Sequence, residues 1–283
     1  MNKKNVLPRK LWILWYQGFS DAPLIVKICI ESWINKNPGW DVIILNKTNI
    51  NNYITLDVPK EIINRLNLNH QSDLVRLALL SKYGGVWADA TTFCINPLDE
   101  WIDDYANSGF FVFSRPTPDK MISSWFIASE KECPLVRKLY ERLALYWRQN
   151  SFNRPTRFQF KANRLLVRVL NRSEKTTKYW FSPVVTKILR VYPYFVIHYM
   201  FERLISQDVE AKKIWDNTYY ASADGPALAY YLDLFSPITN EVKEQIDNNP
   251  APLYKFDWRC DNNIPENSVL SYITKQYSSE QKT

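Results

Sequence analysis

HQSDLVRLALLSKYGGVWADATTFCINP, residues 70–97, is the densest stretch of the chain in structural signals. Ser72 is a residue type that accepts a backbone N–H at a helix start, and Asp73 behind it suits the positive end of a helix dipole. Leu74 to Tyr83 holds no Gly or Pro and is rich in Leu, which predicts a buried helix. Gly84 and Gly85 predict its end, because glycine takes a left-handed backbone without a Cβ clash. Val86, Trp87 and Ala88 then predict a short strand that delivers Asp89 to its C-terminal end, the edge where open α/β sheets hold ligands. At about 100° per residue, Asp73 and Arg76 flank Leu80 on a face shared with Leu77 and Tyr83. A carboxylate and a guanidinium on an apolar stripe are costly to bury unless paired. An internal salt bridge with a capping Asp and a binding site both fit this pattern; Asp89 after the Gly-Gly break favours the site.

Around this stretch the chain has ample material for a core. Of its 283 residues, 46% are hydrophobic and 11 are Trp, which excludes a disordered protein. Four cysteines (Cys29, Cys94, Cys133, Cys260) form no CxxC pair, so neither a zinc site nor a disulfide framework is expected, and a reducing cytosol fits. The apolar run from Leu11 to Tyr16 is too short for a secretory leader, and no run reaches the roughly 18 apolar residues of a membrane span. A soluble or peripheral protein is expected. The net charge of +7 is uneven: Arg154 to Arg190 holds ten Lys/Arg against one acid. A mostly neutral domain with one basic patch has that profile; a uniformly basic nucleic-acid binder does not.

Leu11 to Trp15 predicts a first buried strand ending at Tyr16-Gln17-Gly18. Ala22 to Asn35 has helical spacing and stops at Asn37-Pro38-Gly39. Trp40 to Leu45 predicts a second strand, so the rhythm is that of a right-handed βαβ unit. No GxGxxG or Walker loop follows either strand, which disfavours a Rossmann dehydrogenase and a P-loop kinase. Further on, a short helix is expected over Leu98 to Tyr105, strands at Phe110 to Phe113 and Ser123 to Ala128, and a helix from Pro134 to Arg148. Thr156 to Asn171 predicts a basic amphipathic helix with Phe158, Phe160, Leu165, Leu166, Val169 and Leu170 on one side. Arg157, Lys161, Arg164, Arg168 and Arg172 lie outward. A solvated helix face and a segment lying on an anionic bilayer both have this form. His198 reads as a packed core histidine. Gly225-Pro226 opens a late helix that Asp224 would cap, and the tail after Ser271 is expected to fray.

SDxxR, a spacer, GG and an aromatic-x-Asp-x-Thr end resemble the sugar-binding DXD region of glycosyltransferase family 32. The capsular polysaccharide synthesis branch, which reads GG-(I/V)-W-x-D-A-T here, is the closest in pattern. The sixteen-residue step from Asp73 to Asp89 is similar to that of the related clostridial glucosylating toxins. Ser222 to Leu228 and Leu253 to Trp258 resemble two later family elements, with Tyr254 where a His is more usual. The resemblance implies an α/β, GT-A-type Rossmann-like nucleotide-sugar-binding domain with a basic helical excursion. It spans 1–283: a donor-binding core over 1–150, the excursion over 151–205, an acceptor-side and closing segment over 206–270, and a tail over 271–283.

The resemblance further implies a donor site in which Trp15 stacks on the base, unless Trp12 and Trp15 are simply core. Tyr16, Tyr53 and Trp87 would wall the pocket, Ser72, Asp73 and Arg76 would hold donor-sugar hydroxyls, and Asp89 and Thr91 would occupy the DXD positions. Thr91 replaces the second carboxylate, so two arrangements are open: a divalent cation, Mn²⁺ or Mg²⁺, on Asp89 with help from a late acid such as Asp257, or neutralisation of the leaving diphosphate resting more on Lys255 and Arg76. Ser124, Trp125 and Gly225 would face the acceptor, and Asp224 would hold its hydroxyl or only cap the helix. The expected reaction is transfer from a nucleotide-diphosphate sugar, a UDP-sugar, to a polyprenyl-diphosphate-linked glycan in capsule or surface-polysaccharide synthesis. Retention by a front-face route is implied, in the bacterial cytoplasm at the inner face of the membrane, reached through residues 154–190. A non-catalytic sugar-nucleotide or carbohydrate-binding module of the same fold is the alternative. An RNA binder is disfavoured, since no RNP-like aromatic motif or GXXG loop lies near the charge.

Overall fold

A computed structural model describes residues 7–150, 152, 157–259 and 263–278; the side chains of 157–163 and 276–278 are not described. Arg154, Thr156 and Cys260 therefore lie outside the described residues, as do the side chains of Arg157, Phe158, Phe160 and Lys161. The chain opens as β1 (Lys10–Leu14), α1 (Leu24–Lys36), β2 (Asp41–Leu45) and α2 (Lys60–Ile63). The central stretch forms α3 (Leu68–Tyr83), β3 (Gly85–Ala88) and β4 (Thr92–Cys94). There follow α4 (Ile102–Tyr105), a hairpin of β5 (Phe110–Thr117) and β6 (Lys120–Ser129), and α5 (Pro134–Gln149). A helical section holds α6 (Arg157–Leu170), α7 (Glu174–Thr177), α8 (Val196–Gln207) and α9 (Val209–Asp216). The chain closes with α10 (Asp224–Tyr231), α11 (Asn240–Asp247), β7 (Leu253–Lys255) and α12 (Val269–Ser278).

The main sheet has the order β2-β1-β3-β6-β5. Strands β2, β1 and β3 are parallel, and β6 and β5 continue the sheet antiparallel. Its class is the α/β, Rossmann-like one expected. Side chains alternate across it as a pleated strand requires. Leu11, Ile13, Val86 and Ala88 face one core, with α1, β4 and the C-terminal elements. Trp12, Leu14 and Trp87 face the other, with α3, α5 and α8. Because β1 and β3 run parallel, with Trp12 beside Trp87 in register, their C-terminal ends meet at one edge. Trp15-Tyr16 and Asp89 are therefore neighbours there.

The Gly84-Gly85 break does what its composition predicts. Gly84 (φ +66) ends α3, and a Cβ on it would stand 2.6 Å from the Lys131 nitrogen. Gly85 (φ +91) lies against the Lys10 carbonyl, which no larger residue could approach. A second, two-stranded ribbon pairs β4 antiparallel with β7, setting Thr92 opposite Lys255. This ribbon returns the late chain to the same sheet edge.

Three local expectations are corrected. The N-cap of α3 is Asn67, whose side chain accepts the His70 N–H, so Ser72 and Asp73 stand in the second turn and cap nothing. Ser72 had competed for that role only because Asn67, an equally good cap, lies farther upstream. Leu98 to Tyr105 is a 3₁₀ turn (Leu98–Glu100) followed by α4 rather than one helix. Residues 271–278, expected to fray, continue α12, anchored by fully buried Leu270 and Ile273; residues 279–283 lie outside the described residues.

Candidate active site

Arg76 is the hub of the sheet edge. From the third turn of α3 its Nη2 stands 3.5 Å from Asp73 and 3.3 Å from Asp89, with side chains of Arg76 and Asp73 almost wholly buried. Nη2 also donates to Ser72 Oγ at 3.2 Å, and Nη1 donates to the Ser124 carbonyl. The guanidinium lies 5.0 Å from the Trp87 ring centroid. Trp87 Nε1 donates to Asp89 Oδ1 at 2.9 Å, and the Asp89 N–H donates to the Trp125 carbonyl at 2.8 Å. One guanidinium thus holds two carboxylates. Burial pushes the Asp73 carboxyl up to about 6, with Arg76 pulling it down and Asp89 pushing it further up.

Two adjoining cavities of about 370 and 490 Å³ open at this edge and share Arg76, Asp89 and Lys255 in their walls, a size suited to small-molecule ligands. The first is lined by Trp15, Tyr16, Ser72, Thr91, Trp258 and Arg259 among others. Trp15 and Trp258 meet edge to face at 6.1 Å, and Trp15 Nε1 is a buried donor with no hydrogen-bond partner among the described residues. Burial raises the Tyr16 hydroxyl, keeping it protonated. The second cavity is lined by Asp73, Ser124, Trp125, Tyr194, His198 and Tyr230 among others. His198 is core-packed as expected, yet it also lines this cavity. Desolvation, with Lys120 and Arg76 nearby, pushes it down to about 3, and its Nδ1 has no partner among the described residues.

The geometry brings Trp15, Tyr16, Ser72, Asp73, Arg76, Asp89, Thr91, Ser124, Trp125 and Lys255 together. Four other candidates line neither cavity. Trp87 is 1% exposed and lies beneath Arg76 rather than in a wall, because β3 is covered on both faces. Tyr53 packs edge to face on Trp12 at 5.4 Å, its carbonyl accepting from Lys82 and Tyr83. Gly225 packs against Asn249 and Ala251, and its carbonyl accepts the Asn249 amide. Asp224 lies in the first turn of α10, and its carboxylate accepts the Ser222 hydroxyl at 2.8 Å instead of capping the helix. Neither Asp224 nor Gly225 lines the two cavities.

Sequence reasoning missed Tyr194, Tyr230, Trp258 and Arg259. Trp258 and Arg259 adjoin Lys255 in the run KFDWR, a signal that was available. Tyr194 was not findable: its hydroxyl accepts from Asn69 and its carbonyl pairs with His70 Nε2 at 3.0 Å, contacts over more than 120 positions.

The resemblance implies a divalent cation at this edge. Thr91 Oγ1 accepts Lys255 Nζ at 2.6 Å, which puts an ammonium on the second DXD position. Asp257 is taken by Arg259 through bonds of 3.0 and 3.1 Å, and Asp89 by Arg76 and Trp87. Among the described residues no group of three or more His, Cys, Asp or Glu side chains could hold a metal ion. These residues do not fit a divalent cation, which wants several oxygen ligands.

Comparison with known proteins places this edge in context. O-glycosyltransferase braB of Annulohypoxylon truncatum is 28% identical over 159 residues, which cover 49% of this chain and 38% of that protein. Glycosyltransferase afumC of Aspergillus fumigatus is 26% identical over 159 residues, covering 49% of this chain and 40% of that one. The match thus spans about two fifths of each relative's length. Among solved structures, PaToxG glycosyltransferase superposes with a TM-score of 0.42 and 14% identity, over 86% of this chain and 85% of that one. The family model for capsular polysaccharide synthesis proteins matches residues 1–180, the part that supplies Trp15, Asp73, Arg76 and Asp89, and the chain belongs to that family.

Proposed function

We propose that this chain is a glycosyltransferase that moves a sugar from a nucleoside-diphosphate donor, a UDP-sugar, to a lipid-linked oligosaccharide in bacterial capsule or surface-polysaccharide synthesis, with retention. The observation that carries the reading is the Asp73–Arg76–Asp89 bridge at the end of β3, facing a cavity walled by Trp15 and Tyr16. In the reaction, the bond from the sugar's anomeric carbon to the β-phosphate oxygen breaks, and its electron pair leaves on that oxygen. The acceptor oxygen forms the new bond on the same face, and its proton passes to the departing phosphate oxygen. Trp15 stacks on the base, Asp73 and Arg76 hold sugar hydroxyls, and Ser124 and Trp125 face the acceptor. Negative charge grows on the leaving group, so fixed positive charge aimed at it lowers the barrier.

The acceptor's lipid suits the helical section. Leu165, Val167, Val169, Val184 and Ile188 are exposed there among Arg164, Arg168, Lys187 and Arg190, a composition that binds anionic bilayers. No helix among the described residues is long and apolar enough to cross a membrane. A screen of UDP-, GDP- and dTDP-sugars with lipid-linked acceptors, for wild type and Asp89→Ala, tests the proposal. Transfer from one donor, lost in Asp89→Ala, is the expected result. Binding of a donor with no transfer to any acceptor would instead identify a sugar-nucleotide-binding module, and absence of any donor binding would sink the reading.

A further inference from the structure

We infer that Lys255 takes the place of the divalent cation, and that the chain binds the diphosphate of its donor without any metal. The inference rests on the donor reading above. Its basis is the β4–β7 ribbon, which sets Lys255 opposite Thr92 and fixes its ammonium against Thr91. Nζ donates to Thr91 Oγ1 at 2.6 Å and to the Phe256 carbonyl at 2.8 Å, so two of its three N–H groups are held by the protein. Both held contacts are to neutral oxygens, and among the described residues no carboxylate forms a direct ion pair with it; burial pushes the Lys255 amine down, while Asp89 and Asp257 nearby favour its charged form. A hydroxyl at position 91 can share a lysine proton; a carboxylate there would have neutralised it and invited a metal instead.

The charge balance of the two cavities points the same way. Their walls carry three acids (Asp73, Asp89, Asp257) and three bases (Arg76, Lys255, Arg259). Asp257 is matched by Arg259, and Asp73 and Asp89 share Arg76. A divalent cation would enter walls with no surplus of negative charge and displace an ammonium from its hydroxyl. In the first cavity alone Arg76, Lys255 and Arg259 stand against Asp89 and Asp257, an excess of one positive charge beside Trp15 that suits a diphosphate. An ammonium supplies the same electrostatic stabilisation of a leaving phosphate as a metal, as a point charge fixed in advance.

The test is calorimetric titration of UDP, GDP and dTDP into the full chain, in EDTA and in Mn²⁺. The inference expects one nucleotide to bind equally in both media, within about twofold. Lys255→Met, checked for fold by circular dichroism, should weaken that binding by about tenfold to a hundredfold, the loss of a charge-assisted bond, whereas Lys255→Arg should retain most of it in EDTA. The double variant Thr91→Asp with Lys255→Met restores two carboxylates and removes the ammonium; its nucleotide binding should become dependent on Mn²⁺. If the wild type binds only with Mn²⁺, the inference is overturned while the donor reading stands. Wild-type strength of binding in folded Lys255→Met would overturn it as well. If no nucleotide binds in either medium, both fall together.

Discussion

Replacing Asp73 by Asn should make the protein more stable and disable it. The carboxyl of Asp73 is pushed from an ordinary 3.8 to about 6 by burial, with Arg76 only partly offsetting the loss of water. A carboxyl whose pKa is higher in the folded state binds its proton more tightly there, so folding is unpenalised below the unfolded pKa. The penalty grows as pH rises from near 4 to 6 and is complete above 6. Taken from those two values, the ionised group costs ~3 kcal/mol of stability at pH 7 and ~1.6 kcal/mol at pH 5. An asparagine has the same shape without the charge, and Arg76 keeps Asp89 as its ion-pair partner. Urea unfolding of both proteins at pH 5 and pH 7 measures the difference, and donor titration measures the functional loss. The expected outcome is a gain for Asp73→Asn that is larger at pH 7 than at pH 5, with donor binding weakened at both. A loss of stability of equal size at the two pH values would refute the reasoning, because Asp73 would then be an ordinary stabilising member of an ion pair. Buried charge kept at such a cost is what a binding group needs and a scaffold does not.

Trp15→Ala should weaken nucleotide binding by roughly tenfold to a hundredfold, the worth of one base–aromatic stack; titration with UDP checks this, and an unchanged affinity would return Trp15 to the core. Gly85→Ala should cost about 3 kcal/mol or more, since it adds a side chain at positive φ against the Lys10 carbonyl, and a chemical-denaturation midpoint reads the loss. Cys94 and Cys133 are buried thiols pushed up to about 12 and about 11, chiefly by desolvation, and Cys29 is buried beside them in class. Of the four cysteines, at most one should therefore react quickly with a thiol reagent in the native protein, and the others only on unfolding.

What was legible in the sequence depended on distance along the chain. Asp73 and Arg76 are one helical turn apart and Asp89 follows the glycine break, so a local pattern exposed all three residues, though not that Arg76 reaches across to Asp89. That β1 is buried followed from its uninterrupted apolar run. Trp87 was misread because its strand is buried on both sides, where alternation no longer separates wall from core. Lys255 was noted for its charge, but its partner was not: a three-residue strand has too little pattern to announce a mate at Thr92. Asn67 was overlooked in favour of Ser72 because cap preference ranks residue types without saying where the apolar packing of a helix starts. Asp224 reads as a cap by type, yet the backbone before it is already helical, and its carboxylate turns to Ser222.

The β4–β7 ribbon also has a bearing on biosynthesis. A nascent chain that has emerged to residue 180 already carries Trp15, Asp73, Arg76 and Asp89, but none of Lys255, Trp258 or Arg259. The part of the edge built on Trp15, Asp73, Arg76 and Asp89 can therefore take shape while Lys255 and Arg259 are still in the ribosome. Closing the ribbon joins strands some 160 positions apart, a late and slow step in any folding sequence. Until that ribbon closes, Trp15 and Arg76 stand without Lys255, Trp258 and Arg259, so a product interrupted before β7 would hold only part of the cavity wall.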